Sequence, residues 1–369
     1  MSCDFLSLAN TGVQKLHPYQ AGKPSDELER ELGISNIVKL ASNENPLGLA
    51  QSVKDALQNE LTGLTRYPDA NGYYLKKALA DKYAVDIEQV TLGNGSNDLL
   101  ELIARAFVAR EHEVIFAQHA FVVYPLVTQA IGAIAVAVPA KDYGHDLDAM
   151  AAAITDKTKL IFIANPNNPT GTFLEQDALT SFLKKVPSNV LVVLDEAYFE
   201  YAEPARRGDA IAWITEFPNL IVSRTFSKAY GLAGLRVGYS ISHPDIADIL
   251  NRVRQPFNCN ALALKAAETV LNDEEYLQRS VTLNNQGMED LSAFFTDNDL
   301  DFIASMGNFI TVNVGKSGDE VFHALLQQGV IVRPITGYGL PNHLRVSIGT
   351  HRENQRFKEA LSHVLNLES

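Results

Sequence analysis

The chain has 369 residues, 46% of them apolar and 20% charged, which is enough length for two cored domains and an ordinary composition for a globular protein. Its 44 acidic against 31 basic residues give a formal charge of −13, which excludes nucleic acid as the main partner because phosphate backbones demand clustered cations. A local positive pocket for a small anion is compatible with that balance.

Met1 to Thr11 has neither a basic flank nor an apolar run of signal-peptide length. No stretch approaches the roughly 18 apolar residues of a membrane span, so a soluble cytoplasmic protein is expected. The two cysteines, Cys3 and Cys259, lie far apart, form no metal-ligand spacing and read as reduced thiols; no metal is expected. Residues 1–45, punctuated by His17-Pro18 and Asn45-Pro46, read as an arm that packs with a small domain. Helix and strand patterns alternate from about residue 50. Ser96 to Phe107 is predicted helical, with Leu99, Ile103 and Phe107 at i, i+4 and i+8 on one face. Short apolar runs follow at Val114 to Ala117, Ala133 to Val138, Leu160 to Ala164, Val190 to Leu194 and Leu220 to Val222. Runs apolar on both faces fit buried parallel strands with helices on each side, such as one over Glu175 to Lys185. Later, Phe309 to Val314 and His343 to Ile348 alternate, as strands with one covered face do, beside amphipathic helices over Glu320 to Gln328 and Arg352 to Leu365. The fold class is therefore α/β: a large domain over 46–255 with a mostly parallel central sheet, then a smaller α+β domain over 256–369.

Four polar clusters stand at the carboxyl ends of predicted strands, where open α/β sheets hold ligands. Gly93-Asn94-Gly95-Ser96-Asn97 opens the first helix and suits either a phosphate or a plain turn and cap. It is neither a P-loop nor a dinucleotide fingerprint, whose third glycine is replaced by Asp98; a nicotinamide dehydrogenase is thereby disfavoured. Asn165 to Gly171 has the composition of an ordinary loop. Asp195 ends the most apolar run, either solvated at the strand end or buried against a cation or donor. Lys228, in Ser223-Arg224-Thr225-Phe226-Ser227-Lys228, taken alone reads as a surface lysine, although a lysine of lowered pKa forms Schiff bases with carbonyls. Together, a phosphate cup, a strand-end Asp, a Lys and the following Arg236 make the set that pyridoxal 5′-phosphate requires.

In this chain order the clusters resemble the fold type I, class-II pyridoxal-phosphate-dependent aminotransferases along nearly the whole length, in particular their histidinol-phosphate branch. The resemblance rests on Leu40-Ala41-Ser42-Asn43-Glu44-Asn45-Pro46-Leu47-Gly48, Arg66-Tyr67-Pro68-Asp69, Asn165 to Gly171, Asp195-Glu196-Ala197-Tyr198 and Ser227 through Gly238. Arg333, after Gly329-Val330-Ile331-Val332, and Arg345, within Leu344 to Thr350, complete it. It implies amino transfer between L-histidinol phosphate and 2-oxoglutarate in histidine biosynthesis. A broader aromatic or aspartate aminotransferase and a threonine-phosphate decarboxylase are the neighbouring activities. By the same resemblance Lys228 carries the cofactor aldehyde and moves the substrate proton, Asp195 holds the ring nitrogen, and Tyr198 and Asn168 bond the 3′ oxygen. Phe121 stacks on the ring, while Gly95, Ser96, Asn97, Thr225, Ser227 and Arg236 take the phosphate. Tyr67 reaches the phosphate across a homodimer interface, so that sites are shared, and Tyr19, Asn43, Arg333 and Arg345 receive the substrates. Relatives can read Asp-Glu where this chain has Asn97-Asp98, and an Asn there still caps the helix and donates to phosphate. A ligand sensor fused to a DNA-binding segment is disfavoured by the short arm, the acidic charge and the retained Lys228.

Overall fold

A computed structural model describes residues 3–18 and 25–367. Seven strands form the central sheet, in the order Val90–Gly93, Gly238–Ile241, Leu220–Thr225, Leu191–Asp195, Thr158–Ala164, Glu113–Ala117, Ile134–Val138. All run parallel except Gly238–Ile241, which is antiparallel to both neighbours. The expected mostly parallel α/β sheet is present, and each apolar run predicted as a strand lies in it.

Alternation along the strands feeds two cores. Ile161, Ile163, Val192 and Leu194 face one side and Leu160, Phe162 and Val193 the other, all fully buried. Each such side chain contributes about 1.5–3 kcal/mol by leaving water. Helix Ser96–Phe107 covers the second face through Leu100 and Ile103.

Four antiparallel strands make the smaller sheet, ordered Arg333–Pro334, His343–Ser347, Phe309–Asn313, Phe302–Ile303. Ile310, Val312, Leu344 and Val346 face its core with Leu291, Phe295 and Phe357 from the flanking helices. The alternating pattern predicted one solvent-facing side for these strands. Instead Thr311, Arg345 and Ser347 are buried as well: the large domain's Asn165–Gly171 loop meets the first two, Thr311 Oγ1 donating to the Pro169 carbonyl at 2.6 Å, and Asn43 meets Ser347, whose Oγ donates to Asn43 Oδ1 at 3.0 Å. The polar face is an interface with the site, not a surface.

The expected boundary at 255/256 falls just before helix Ala261–Val270, whose Ala263, Ala266, Ala267 and Val270 pack into the large core. The 24-residue helix Glu274–Asp297 then crosses from one core to the other, with Tyr276 in the first and Leu291 and Phe295 in the second. At the other end, Val38–Lys39 pairs in parallel with Val330–Ile331, and Leu40 bonds both Ile331 and Ser347 through its main chain. Leu28 joins Ala41, Leu326 and Ile331 in a satellite cluster of the small domain.

Candidate active site

The carboxyl ends of the parallel strands and the polar face of the small sheet enclose a cavity of about 200 Å³. Ser96, Asn97, Phe121, Asn168, Asp195, Tyr198, Thr225, Ser227, Lys228 and Arg236 line it from the large domain. Asn43, Arg333 and Arg345 line it from the small-domain side, so the structure brings together nearly all the residues that the sequence singled out. Tyr67 is not among them: it is 82% exposed and stacks on Phe257, ring centroids 4.6 Å apart. Tyr19 lies outside the described residues.

One wall is an anion site. Helix Ser96–Phe107 has no side-chain cap among the described residues, and its first residues, Ser96 and Asn97, line the cavity, so its first N–H groups and its dipole are open to an anion there. Gly95 has φ +85°, and a Cβ there would lie 2.4 Å from Arg236 Nη2, so only glycine lets the guanidinium sit against the loop. Arg236 Nη1 also donates to Ser227 Oγ at 3.3 Å, and Thr225 Oγ1 accepts the Ser227 N–H. Asp98, standing where a dinucleotide fingerprint has glycine, fastens this loop: its Oδ2 accepts the Asn94 N–H and Asn258 Nδ2, each at 2.8 Å.

Opposite lies the acid–base pair. Asp195 ends its strand fully buried, and Tyr124 donates to its Oδ2 at 2.8 Å. Its Oδ1 has no hydrogen-bond partner among the described residues. Burial pushes the Asp195 carboxyl up to about 6, against the opposing effects of Tyr124, the Ala197 N–H and Lys228. Lys228 Nζ donates to the Ser42 carbonyl at 3.0 Å. Burial, reinforced by Arg345 and Arg236, pushes that amine down to about 7. The Tyr198 hydroxyl accepts Asn43 Nδ2 at 2.9 Å and is pushed up to about 12, mainly by burial, so it stays protonated and can donate. Arg345 Nη1 donates to Asn168 Oδ1 and Nη2 to the Ala41 carbonyl, both at 2.6 Å.

Beneath this floor Arg224, 2% exposed, pairs with Glu196 at 2.7 Å and lies 3.6 Å over the Phe199 ring. Glu196 follows Asp195 and Arg224 precedes Thr225, so the pair rivets the two strand ends that carry the site. Arg224→Met leaves the Glu196 carboxylate buried without its cation, and the expected loss is about 3–5 kcal/mol of stability, read as a lower denaturation midpoint. Adding Glu196→Leu removes the stranded charge and should restore part of the loss.

Sequence reasoning missed Tyr124, Ser42 and Tyr338. Tyr124 carried a signal: it stands three residues after Phe121 at the start of helix Val123–Ile131, where such spacing places side chains together. The Ser42 contact is made by main chain, which leaves no trace in side-chain chemistry.

A lysine of lowered pKa beside a buried carboxylate and a helix-capped anion site, set at strand ends of a doubly covered sheet, defines a site for covalent carbonyl chemistry on a phosphorylated cofactor. The chain belongs to the class I and II aminotransferases, whose family model matches residues 35–361. It is 64% identical to histidinol-phosphate aminotransferase 1 of Idiomarina loihiensis over 96% of this chain and 97% of that one. With histidinol-phosphate aminotransferase 2 of Pasteurella multocida it shares 58% identity over 98% and 100% of the two chains. The crystal structure of histidinol-phosphate aminotransferase from Sinorhizobium meliloti in complex with pyridoxal 5′-phosphate superimposes with a TM-score of 0.88 at 29% identity, covering 96% of this chain and 97% of that one.

Proposed function

We propose that the chain catalyses amino transfer between L-histidinol phosphate and 2-oxoglutarate, using pyridoxal 5′-phosphate, as a step in histidine biosynthesis. The observation that carries this reading is the buried Asp195, whose Oδ1 has no hydrogen-bond partner among the described residues, in one cavity with Lys228 and the anion wall of Ser96 and Arg236. A protonated ring nitrogen fits Asp195, an aldehyde fits Lys228, and a phosphate fits the helix start. Relatives of 58–64% identity that bear the histidinol-phosphate name support the substrate assignment.

When bound, the cofactor supplies an aldehyde for the substrate's amino group and a cationic ring that spreads the electron pair left at the substrate carbon. The chain's own groups do the rest. Ser96, Asn97, Thr225, Ser227 and Arg236 hold the phosphate with the Gly95 main chain, and Phe121 covers the ring. Asp195 keeps the proton on the ring nitrogen, while Tyr198 and Asn168 bond the 3′ oxygen. Lys228, whose amine burial pushes down to about 7, would take the proton from the substrate carbon and deliver it to the carbon that was the cofactor's aldehyde. Arg345 and Arg333, with Asn43 beside them, receive the anionic ends of the substrates, a task suited to the planar guanidinium. Tyr19, outside the described residues, would by the family resemblance be a further substrate contact.

The exposed aromatic and apolar side chains Leu61, Leu64, Tyr67, Tyr73, Tyr74 and Phe257 support a homodimer in which Tyr67 of one protomer reaches the phosphate site of its partner. Sedimentation of a fully active monomer would overturn that arrangement. Among the described residues no helix is long and apolar enough to cross a membrane, and the free thiols of Cys3 and Cys259 support a cytoplasmic setting.

Mixing the cofactor-loaded enzyme with histidinol phosphate, phenylalanine or threonine phosphate and following the visible spectrum tests the assignment. Histidinol phosphate should convert the cofactor to its amino form; failure to do so, with phenylalanine succeeding, would replace the substrate. Arg345→Ala removes a charged contact from both half-reactions, so kcat/KM should fall about 30- to 1000-fold for histidinol phosphate and for 2-oxoglutarate alike. A loss confined to one substrate would limit Arg345 to that substrate.

A further inference from the structure

His119 lies outside the cavity lining, yet it bridges the two walls. Its imidazole Nδ1 is 2.6 Å from the main-chain oxygen of Tyr338, in the turn Thr336–Tyr338 of the small domain. A carbonyl only accepts, so Nδ1 carries the hydrogen and donates. The His119 carbonyl accepts Asn167 Nδ2 at 3.1 Å, which ties its main chain to the loop that bears Asn168. Two residues on, Phe121 lines the cavity. The ring is buried, with Tyr143 at 6.4 Å between centroids and His343 beyond it at 6.0 Å from Tyr143.

On the other wall, the turn follows directly on strand Arg333–Pro334, in which Arg333 pairs with Arg345. Its first residue is anchored away from the cavity, Thr336 Oγ1 donating to Asp319 Oδ2 at 2.7 Å. Its last residue, Tyr338, lines the cavity with Arg333. A shift of the turn therefore moves a substrate-facing ring and the strand that presents Arg333, while Lys228, Asp195 and the anion wall stay in place on the large domain.

We infer that His119 is a positioning residue: its Nδ1–H fixes the Thr336–Tyr338 turn over the cavity and thereby sets substrate affinity without taking part in proton transfer. The inference rests on the proposed amino transfer for the identity of the substrates, and on the structure alone for the latch. Small misplacement of a substrate-holding group is costly, because binding energy depends on groups held in place before the substrate arrives.

Three variants test it. His119→Leu removes the donor, His119→Asn puts an amide N–H where Nδ1–H stood, and His119→Gln puts it where Nε2 stood. With one net hydrogen bond at stake, Leu and Gln should raise KM for both histidinol phosphate and 2-oxoglutarate about 3- to 10-fold, with kcat within about two-fold of the parent. The visible spectrum of the bound cofactor should stay unchanged, and Asn should restore both KM values. An unaltered KM in Leu and Gln would overturn the inference, as would equal damage in Asn, or a fall in kcat at constant KM. Should Leu fail to fold, the Gln and Asn pair makes the same decision. The glutamate and 2-oxoglutarate half-reaction separates this result from the substrate assignment: a parent enzyme inert toward histidinol phosphate refutes that assignment, while KM for 2-oxoglutarate still decides the role of His119.

Discussion

Lys228→Ala should lose turnover by at least about 10³-fold, towards the upper range for a positioned proton-transfer group, and still retain bound cofactor. The amine is the only part of the residue that the site uses: it is buried and donates to the Ser42 carbonyl. Nothing in the anion wall depends on it, since Arg236 bonds Ser227 and the Ala233 carbonyl. Phosphate capture and the Asp195 contact therefore survive, and gel filtration should recover cofactor bound without a covalent link. Stability should not fall. Burial and the two neighbouring arginines oppose the ammonium form, so removing the amine relieves repulsion near neutral pH. The parent protein supplies a matching kinetic test. With its amine at about 7, the cofactor-free chain should capture the aldehyde at a rate that rises with pH and levels off above about 7. An ordinary lysine would keep accelerating to about 10. Retained turnover in Lys228→Ala would remove Lys228 from its assigned role, while a capture rate still climbing at pH 9 would show that burial does not hold its amine down.

Much of this architecture was legible because burial leaves a period. Helix Ser96–Phe107 begins and ends where the apolar stripe and the glycine-rich start place it. The doubly buried strands announced themselves as unbroken apolar runs. Strands Val90–Gly93 and Gly238–Ile241 did not: each has four residues, and glycine, threonine or serine interrupts the apolar pattern. The second runs against its neighbours, a choice of direction that no periodicity encodes. The alternation at Phe309–Asn313 and His343–Ser347 was read correctly as two faces, but a polar face can be covered by a polar partner. Arg345 and Thr311 are buried because Asn168 and the Pro169 carbonyl meet them from another domain. For the same reason the site's residue types could be gathered from strand ends, whereas its main-chain partners, Ser42 to Lys228 and Tyr338 to His119, are products of folding.

Asp195→Asn should make the cofactor-free protein more stable while it removes most of the activity. Moving a carboxyl from its ordinary value near 4 to about 6 corresponds to ~3 kcal/mol between its two protonation states. Between about pH 4 and pH 6 the folded chain holds this proton and the unfolded chain has released it, so stability falls as pH rises through that window. Above about 6 both states are ionised and the full cost of burying the carboxylate remains. Asparagine carries no such cost and can still accept from Tyr124, so at pH 7 the substituted chain should melt at a higher temperature. Below about pH 4 the difference should vanish. Catalysis responds in the opposite sense. The burial that penalises the Asp195 carboxylate makes its attraction for a cationic ring nitrogen strong, and among the described residues Oδ1 makes no hydrogen bond that such a nitrogen would have to displace. Losing a fixed charge aimed at the reacting system costs about 10²- to 10³-fold in turnover. Cofactor affinity should fall in parallel, and its pH dependence between about 4 and 6 should flatten. Equal melting temperatures for parent and Asp195→Asn at pH 7, or full activity in the variant, would show that Asp195 stores no such strain.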